Sequence, residues 1–163
     1  KKYGTFKEIN KMVKILFVCH GNICRSPMAE FVLKDLAAKR GVDVRIITPG
    51  IPDKKTVYQV TRSYFAGLAQ QGVRIYSYTP GFCHGKQCLV DGNMASIGTS
   101  NLDYRSLYLH FENNVLLYDC DAVRDMQQDF CKTMDQCREV TGQYRSRILR
   151  IWQCVLRLFA PLL

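Results

Sequence analysis

The sequence predicts an α/β fold in which a mixed sheet is flanked by helices. Three observations predict it. Short continuous runs of β-branched and large apolar residues, such as VKILFVC at 13–19 and VDVRII at 42–47, have the make-up of strands buried on both faces. Longer stretches between such runs place their apolar residues at helical spacing. The two kinds of segment alternate along one chain, with glycines at several junctions.

Each element follows in turn. Strand-like residues 13–19 lead into a loop rich in Gly, Asn, Ser and Pro, then a helix over 28–40 with Met28, Phe31, Val32, Leu36 and Ala37 on one face. Gly41 stops it, and 42–47 is the second strand of a βαβ unit. After a Pro/Gly loop at 48–53, residues 57–71 form an amphipathic helix with Val60, Tyr64 and Leu68 in its stripe. Gly72 ends it and 73–79 is a strand. Residues 87–90 and 94–97 pair as a hairpin about Asp91-Gly92-Asn93. Residues 114–118 (NVLLY) form another strand. Asp121 caps a helix over 122–140 with Val123, Met126, Phe130 and Met134 inward. A last apolar helix, dotted with Arg, covers 143–163.

The chain has 163 residues and a net charge of +9, and its 47% hydrophobic content excludes a disordered polypeptide. The length fits one α/β domain over 12–163, with polar, irregular residues 1–11 as a flexible extension. No apolar run approaches the roughly 20 residues of a membrane span, and no leading segment has the layout of a secretory signal, so a cytoplasmic protein is expected. None of the eight Cys falls in C-x-x-C spacing; most are expected to be reduced, several as small core residues. The positive excess favours anionic partners: phosphate esters, anionic lipid or nucleic acid.

The strongest chemical signal lies at 84–101. His84 and Lys86 are two apart, so on an extended strand they project from one face. A neutral imidazole can attack phosphorus or shuttle a proton, and an ammonium beside it can neutralise phosphoryl oxygens. Asn101, after the turn that Gly98 opens, can donate a further hydrogen bond to the same phosphate. Asp91 completes a pattern H-x-K-x4-D-x6-G-x-x-N.

That pattern resembles the signature of the phospholipase D superfamily. The flanks YTPGFCH at 78–84, NLDYRS at 101–106 and LHFE at 109–112 are similar to the C-terminal half of bacterial cardiolipin synthases. So are GVDVRIITPGIPD at 41–53 and LFAPLL at 158–163. The similarity runs from about residue 39 to the end, with Gly85 where that family often has Ala. It implies a phospholipase D-like domain that moves a phosphatidyl group from one phosphatidylglycerol to another and releases glycerol, with no metal or other cofactor. His84 would form a phosphatidyl-histidine or serve a partner histidine as acid. Lys86 and Asn101 would hold the phosphate, Asp91 would orient the hairpin, and Glu112 would support the site from behind. Such enzymes use two motifs and this chain has one, since His20 and His110 sit in no second H-x-K frame. Two copies are therefore expected to pair as a homodimer, or the chain is an inactive half enzyme. The substrate places the protein peripherally at the inner face of the cell membrane.

A second signal opens the chain. CHGNICR at 19–25, followed by Ser26-Pro27, sets Cys19 at a strand end and Arg25 just before a helix. Backbone N–H groups at a helix N-terminus bind phosphate and lower a thiolate pKa, and an Arg fork grips two oxygens. The stretch resembles the phosphate loop of low-molecular-weight protein tyrosine phosphatases over about 12–39. That resemblance implies Cys19 as nucleophile, Arg25 on the phosphate, and Cys24 as a thiol able to protect Cys19 by a disulfide. That family also uses an acid from an Asp-Pro loop, and no Asp-Pro dipeptide occurs here, so the loop is expected to bind an anion rather than turn over. The alternatives to a lipid transferase are thus a phosphomonoesterase using Cys19 and Arg25, or a non-catalytic fragment binding anions or lipid. The phosphatase-like segment, 12–40, fits the opening βα slot of the phospholipase D-like segment, 41–163. Residues 144–159 place four Arg among apolar positions, which suits docking on the sheet or lying on anionic lipid. His110 falls in a strand-like stretch and is expected to be structural, and no metal is expected at Cys83 and Cys88.

Overall fold

The computed structural model describes residues 14–19, 33, 35, 41–51, 55–101, 106 and 108–144. They form β1 (Lys14–Cys19), β2 (Asp43–Pro49), α1 (Lys55–Gln70), β3 (Arg74–Tyr78), β4 (Lys86–Val90), β5 (Met94–Gly98), β6 (Asn114–Tyr118), α2 (Asp121–Asp135) and β7 (Cys137–Glu139). A 3-10 turn follows at Thr141–Tyr144.

The strands make one seven-stranded sheet in the order β6-β5-β4-β1-β2-β3-β7. β1, β2 and β3 are parallel, with Lys14 opposite Asp43 and Arg45 opposite Arg74. β4 then runs antiparallel to β1, and β5 and β6 continue the alternation. β7 closes the other edge against β3. The sheet is therefore mixed, as the sequence predicts.

Both faces of the central strands are covered. β2 and β3 alternate with a period of two, so Val44, Ile46 and Ile75 join Val60, Tyr64, Phe65 and Leu68 of α1 in one core. Ile47 and Tyr76 join Val123, Phe130 and Met134 of α2, with Leu89 and Ala95, in the other. Each fully buried aliphatic side chain contributes about 1.5–3 kcal/mol, so two cores on two faces hold the sheet between its helices. Among the described residues no helix is long and apolar enough to cross a membrane.

The elements differ from the sequence reading in three places. The helix expected over 122–140 ends at Asp135, and Cys137–Glu139 pairs as a strand with Tyr76–Tyr78. Its N-cap is Cys120, in extended backbone, and Asp121 is the first helical residue, where its charge suits the helix dipole. His110 lies in an exposed loop before β6, not in a strand. Of the expected helix 28–40, Leu33 is helical and buried. The rest of that helix, the extension 1–11 and the tail beyond Tyr144 lie outside the described residues, apart from Asp35.

At the sheet end that begins β2 and β3, Asp43 accepts hydrogen bonds from Arg45 Nη2 at 2.8 Å and Arg74 Nη2 at 2.5 Å. Burial by itself would push the Asp43 carboxyl up. The hydrogen bonds and positive charge of the two Arg side chains outweigh burial and hold it below its ordinary value. A lowered folded-state pKa means that this stabilisation is complete above the unfolded carboxylate pKa of about 3.9 and is lost as pH falls through the folded value. Asp43→Asn is expected to lose about 1–3 kcal/mol at neutral pH, a range reduced for the partial exposure of Arg74. Urea unfolding at a series of pH values checks this: the gap to the wild type should close in acid.

Candidate functional site

The change of direction between β1 and β4 gathers the site. At one end of the sheet, β1, β2, β3 and β5 finish while β4 and β6 begin. Lys86, the first residue of β4, lies opposite Cys19, the last of β1. His84 precedes β4 by two residues. Asn101 follows β5 by three, and Gln87 opposite Ile97 brings both chain segments to this same end. Glu112 stands two residues ahead of β6, whose Asn114 lies opposite Gly98.

His84 and Lys86 meet directly. Lys86 Nζ lies 2.7 Å from His84 Nε2 and 3.2 Å from the His84 backbone oxygen. An ammonium can only donate, so Nε2 accepts with its lone pair, which places the ring proton of a neutral imidazole on Nδ1. The Phe82 ring stacks on the imidazole at 5.9 Å between centroids and 12° between planes. His84 is exposed, so an incoming phosphate can reach it.

The segment carrying Asn101 is tied to the start of β6. Thr99 Oγ1 donates to Glu112 Oε2 at 2.5 Å, and the Asn113 backbone N–H donates to Thr99 Oγ1 at 3.0 Å. The Thr99 backbone N–H donates to the Asn113 carbonyl at 3.0 Å, and Asn114 Nδ2 donates to Ser100 Oγ. Hydrogen bonds from Thr99 and the buried Ser106 hold the Glu112 carboxyl below the usual carboxylate range, and His110, 3.6 Å away, adds to this. Glu112 thus anchors the turn from which Asn101 emerges. Thr99, Ser106 and Phe82 carry no sequence signal for these roles beyond their nearness to the motif.

Asp91 is not brought to this group. It sits in the β4–β5 turn at the opposite end of β4, about 16 Å away at 3.3 Å per residue. There it takes φ 51°, Gly92 takes φ 74°, and the Asn93 N–H bonds the Val90 carbonyl at 3.2 Å. Its place is the hairpin turn. For the second motif, the backbone of Cys19 lies beside Lys86, while His20, Cys24 and Arg25 lie outside the described residues. Cys88, within β4, is pushed up by burial to about 12, and burial raises Cys83 as well, so neither is a ready thiolate at neutral pH. Among the described residues no group of three or more His, Cys, Asp or Glu is placed to hold a metal ion.

The chain matches the family described as "Cardiolipin synthase, PLD-like domain" over residues 6–134. The match begins well ahead of residue 39 and so takes in the phosphatase-like stretch. The chain is 45% identical over 131 residues to cardiolipin synthase 2 of Bacillus cereus, covering 78% of this chain and 26% of that protein. It is 40% identical over 166 residues to a cardiolipin synthase of Clostridium perfringens, covering 99% of this chain and 34% of that one. The chain thus spans about a quarter to a third of the length of these relatives. Among solved structures, the phospholipase D family member Nuc from Salmonella typhimurium shares the fold at TM-score 0.65 and 19% identity, over 78% of this chain and 81% of that one. Phosphatidylserine synthase of Haemophilus influenzae does so at 0.61 and 17%, over 91% and 39%.

Gly98 closes β5 where a Cβ would run into the Asn113 carbonyl and the Asn114 backbone and side chain. Backbone atoms cannot yield as a flexible side chain can. Gly98→Ala is therefore expected to cost about 1–3 kcal/mol and to loosen the turn that carries Asn101. A lower urea midpoint at an unchanged m-value would register it.

Proposed function

The chain belongs to the PLD-like domain family of cardiolipin synthase, and from that premise we propose that it transfers phosphatidyl groups through His84. The single observation that carries the reading is the contact of Lys86 Nζ with His84 Nε2 at 2.7 Å, on an exposed imidazole at the sheet end where Asn101 also emerges. His84 Nε2 attacks the phosphorus of phosphatidylglycerol. The P–N bond forms, the P–O bond to the free glycerol breaks, and the leaving oxygen takes a proton from a second imidazole. A hydroxyl of another phosphatidylglycerol then gives its proton to that second imidazole and attacks phosphorus, which releases His84. Lys86 and Asn101 stabilise the phosphoryl oxygens throughout, and Glu112 positions Asn101 through Thr99.

The second imidazole comes from another PLD-like domain, which a second copy of this chain can provide. The reaction takes place at the cytoplasmic face of the membrane, where the substrate phosphodiester lies.

The test offers phosphatidylglycerol, plasmid DNA and an aryl phosphate to the wild type, His84→Ala and Cys19→Ser. The expected outcome is lipid turnover that falls by roughly three orders of magnitude in His84→Ala. Equal turnover in wild type and His84→Ala would overturn the proposal. Aryl phosphate cleavage lost only in Cys19→Ser would move the chemistry to Cys19.

A further inference from the structure

Exposed apolar side chains are unevenly placed on this molecule. Among the described residues the large ones are Ile51, Phe82, Tyr108, Leu109 and Phe111, together with Val115, Leu116 and Tyr118 on the edge strand β6. The first five all occupy the sheet end that carries His84 and Lys86. Ile51 follows β2, Phe82 lies between β3 and β4, and the other three lie between β5 and β6. Three separate loops therefore carry exposed apolar side chains at this one end, and Phe111 is fully exposed. The opposite end is polar: its turns display Asp91, Asn93, Asp119 and Asp121, all exposed. Two of those carboxylates share Arg124.

We propose that this apolar rim docks on the headgroup layer of an anionic phospholipid bilayer, with the polar end turned away. Three observations favour a bilayer over a protein partner. The apolar residues stand at loop tips and alternate with polar ones, as His110 stands between Leu109 and Phe111, which suits shallow insertion at an interface. The chain carries +9, which draws it to an anionic surface, and the exposed Asp91, Asp119 and Asp121 stand at the end away from the rim. The rim shares its sheet end with the His84–Lys86 contact, and Phe82 stacks on the His84 ring, so insertion brings those groups toward the depth of a lipid phosphodiester. The inference rests on the lipid reading of that site for its ligand, but vesicle binding tests it without turnover.

The probe is sedimentation of the full chain with vesicles of phosphatidylglycerol and phosphatidylcholine, and with vesicles of phosphatidylcholine alone. The wild type should bind the anionic vesicles and release them as salt rises. The double variant Leu109→Ser/Phe111→Ser should bind roughly tenfold more weakly or worse. Leu116→Ser, on the edge strand, should bind as the wild type does, with circular dichroism showing that each variant folds. His84→Ala should keep vesicle binding while losing turnover. Wild-type binding in the double variant would overturn the inference. So would a double variant whose loss appears in self-association on a sizing column rather than on vesicles, since a second copy would then cover the rim. Turnover of detergent-dispersed phosphatidylglycerol without vesicle binding would sink the docking and leave the His84 reading standing. Vesicle binding with undiminished turnover in His84→Ala would do the reverse.

Discussion

The antiparallel ladder between β1 and β4 is the constraint on which the rest of the structure depends. Three parallel strands alone would send all their ends one way and leave the site end to loops after strands. Turning β4 against β1, from Ile15 opposite Val90 to Cys19 opposite Lys86, brings the start of a strand to the place where its neighbour finishes. A strand start is a rigid origin for a side chain, because the ladder that follows fixes its backbone. Lys86 is that first paired residue, and His84 lies one pleat earlier. The same reversal, repeated at β5 and β6, returns Asn101 and Glu112 to the same end.

A ladder at the centre of a sheet holds only if both faces are dry. Here α1 and α2 supply this, each burying one of the two alternating sets of residues in β2 and β3. The second core extends past the parallel strands to Leu89 in β4 and Ala95 in β5, so α2 also braces the hairpin that carries His84. Beyond that hairpin cover thins out. β6 is exposed along most of its length and is held chiefly by β5, so Glu112 and the turn at Thr99 depend on hydrogen bonds rather than on burial.

The parts of the fold that were legible in the sequence are those where local pattern and tertiary role agree. Residues 42–47 read as a strand, and Val60, Tyr64 and Leu68 read as a buried stripe, because packing asks for what the pattern already states. β7 was not legible. Cys137-Arg138-Glu139 is short, half polar and continuous with a helix, and only pairing with Tyr76–Tyr78 makes it a strand. Asp91 was legible in its place: the hairpin pattern about Asp91-Gly92-Asn93 put it in the turn where it stands. Distance is what the motif leaves out: four residues of extended chain lie between Lys86 and Asp91, and a motif written on a line does not show where a strand carries its far end. Glu112 was readable as a supporting carboxylate, while the groups it bonds, Thr99 and Ser106, were not, since a hydroxyl close to a motif looks like any other until the turn folds.

The contact between Lys86 and His84 carries a further consequence. A lysine ammonium at 2.7 Å would repel an imidazolium, and its protons need an acceptor, so the contact favours the neutral ring with Nε2 unprotonated. That is the form a nucleophilic imidazole needs, and the stacked Phe82 restricts how the ring can turn from it. The same bond occupies the lone pair that the proposed attack on phosphorus needs. A phosphate arriving at the site resolves the conflict, because its oxygens are stronger acceptors for the ammonium than a neutral nitrogen is. Lys86 can transfer its hydrogen bond to the phosphate without leaving its strand, and the lone pair is freed when the phosphorus is near. Under the proposed mechanism the resting contact is a guard on the nucleophile that the substrate itself removes.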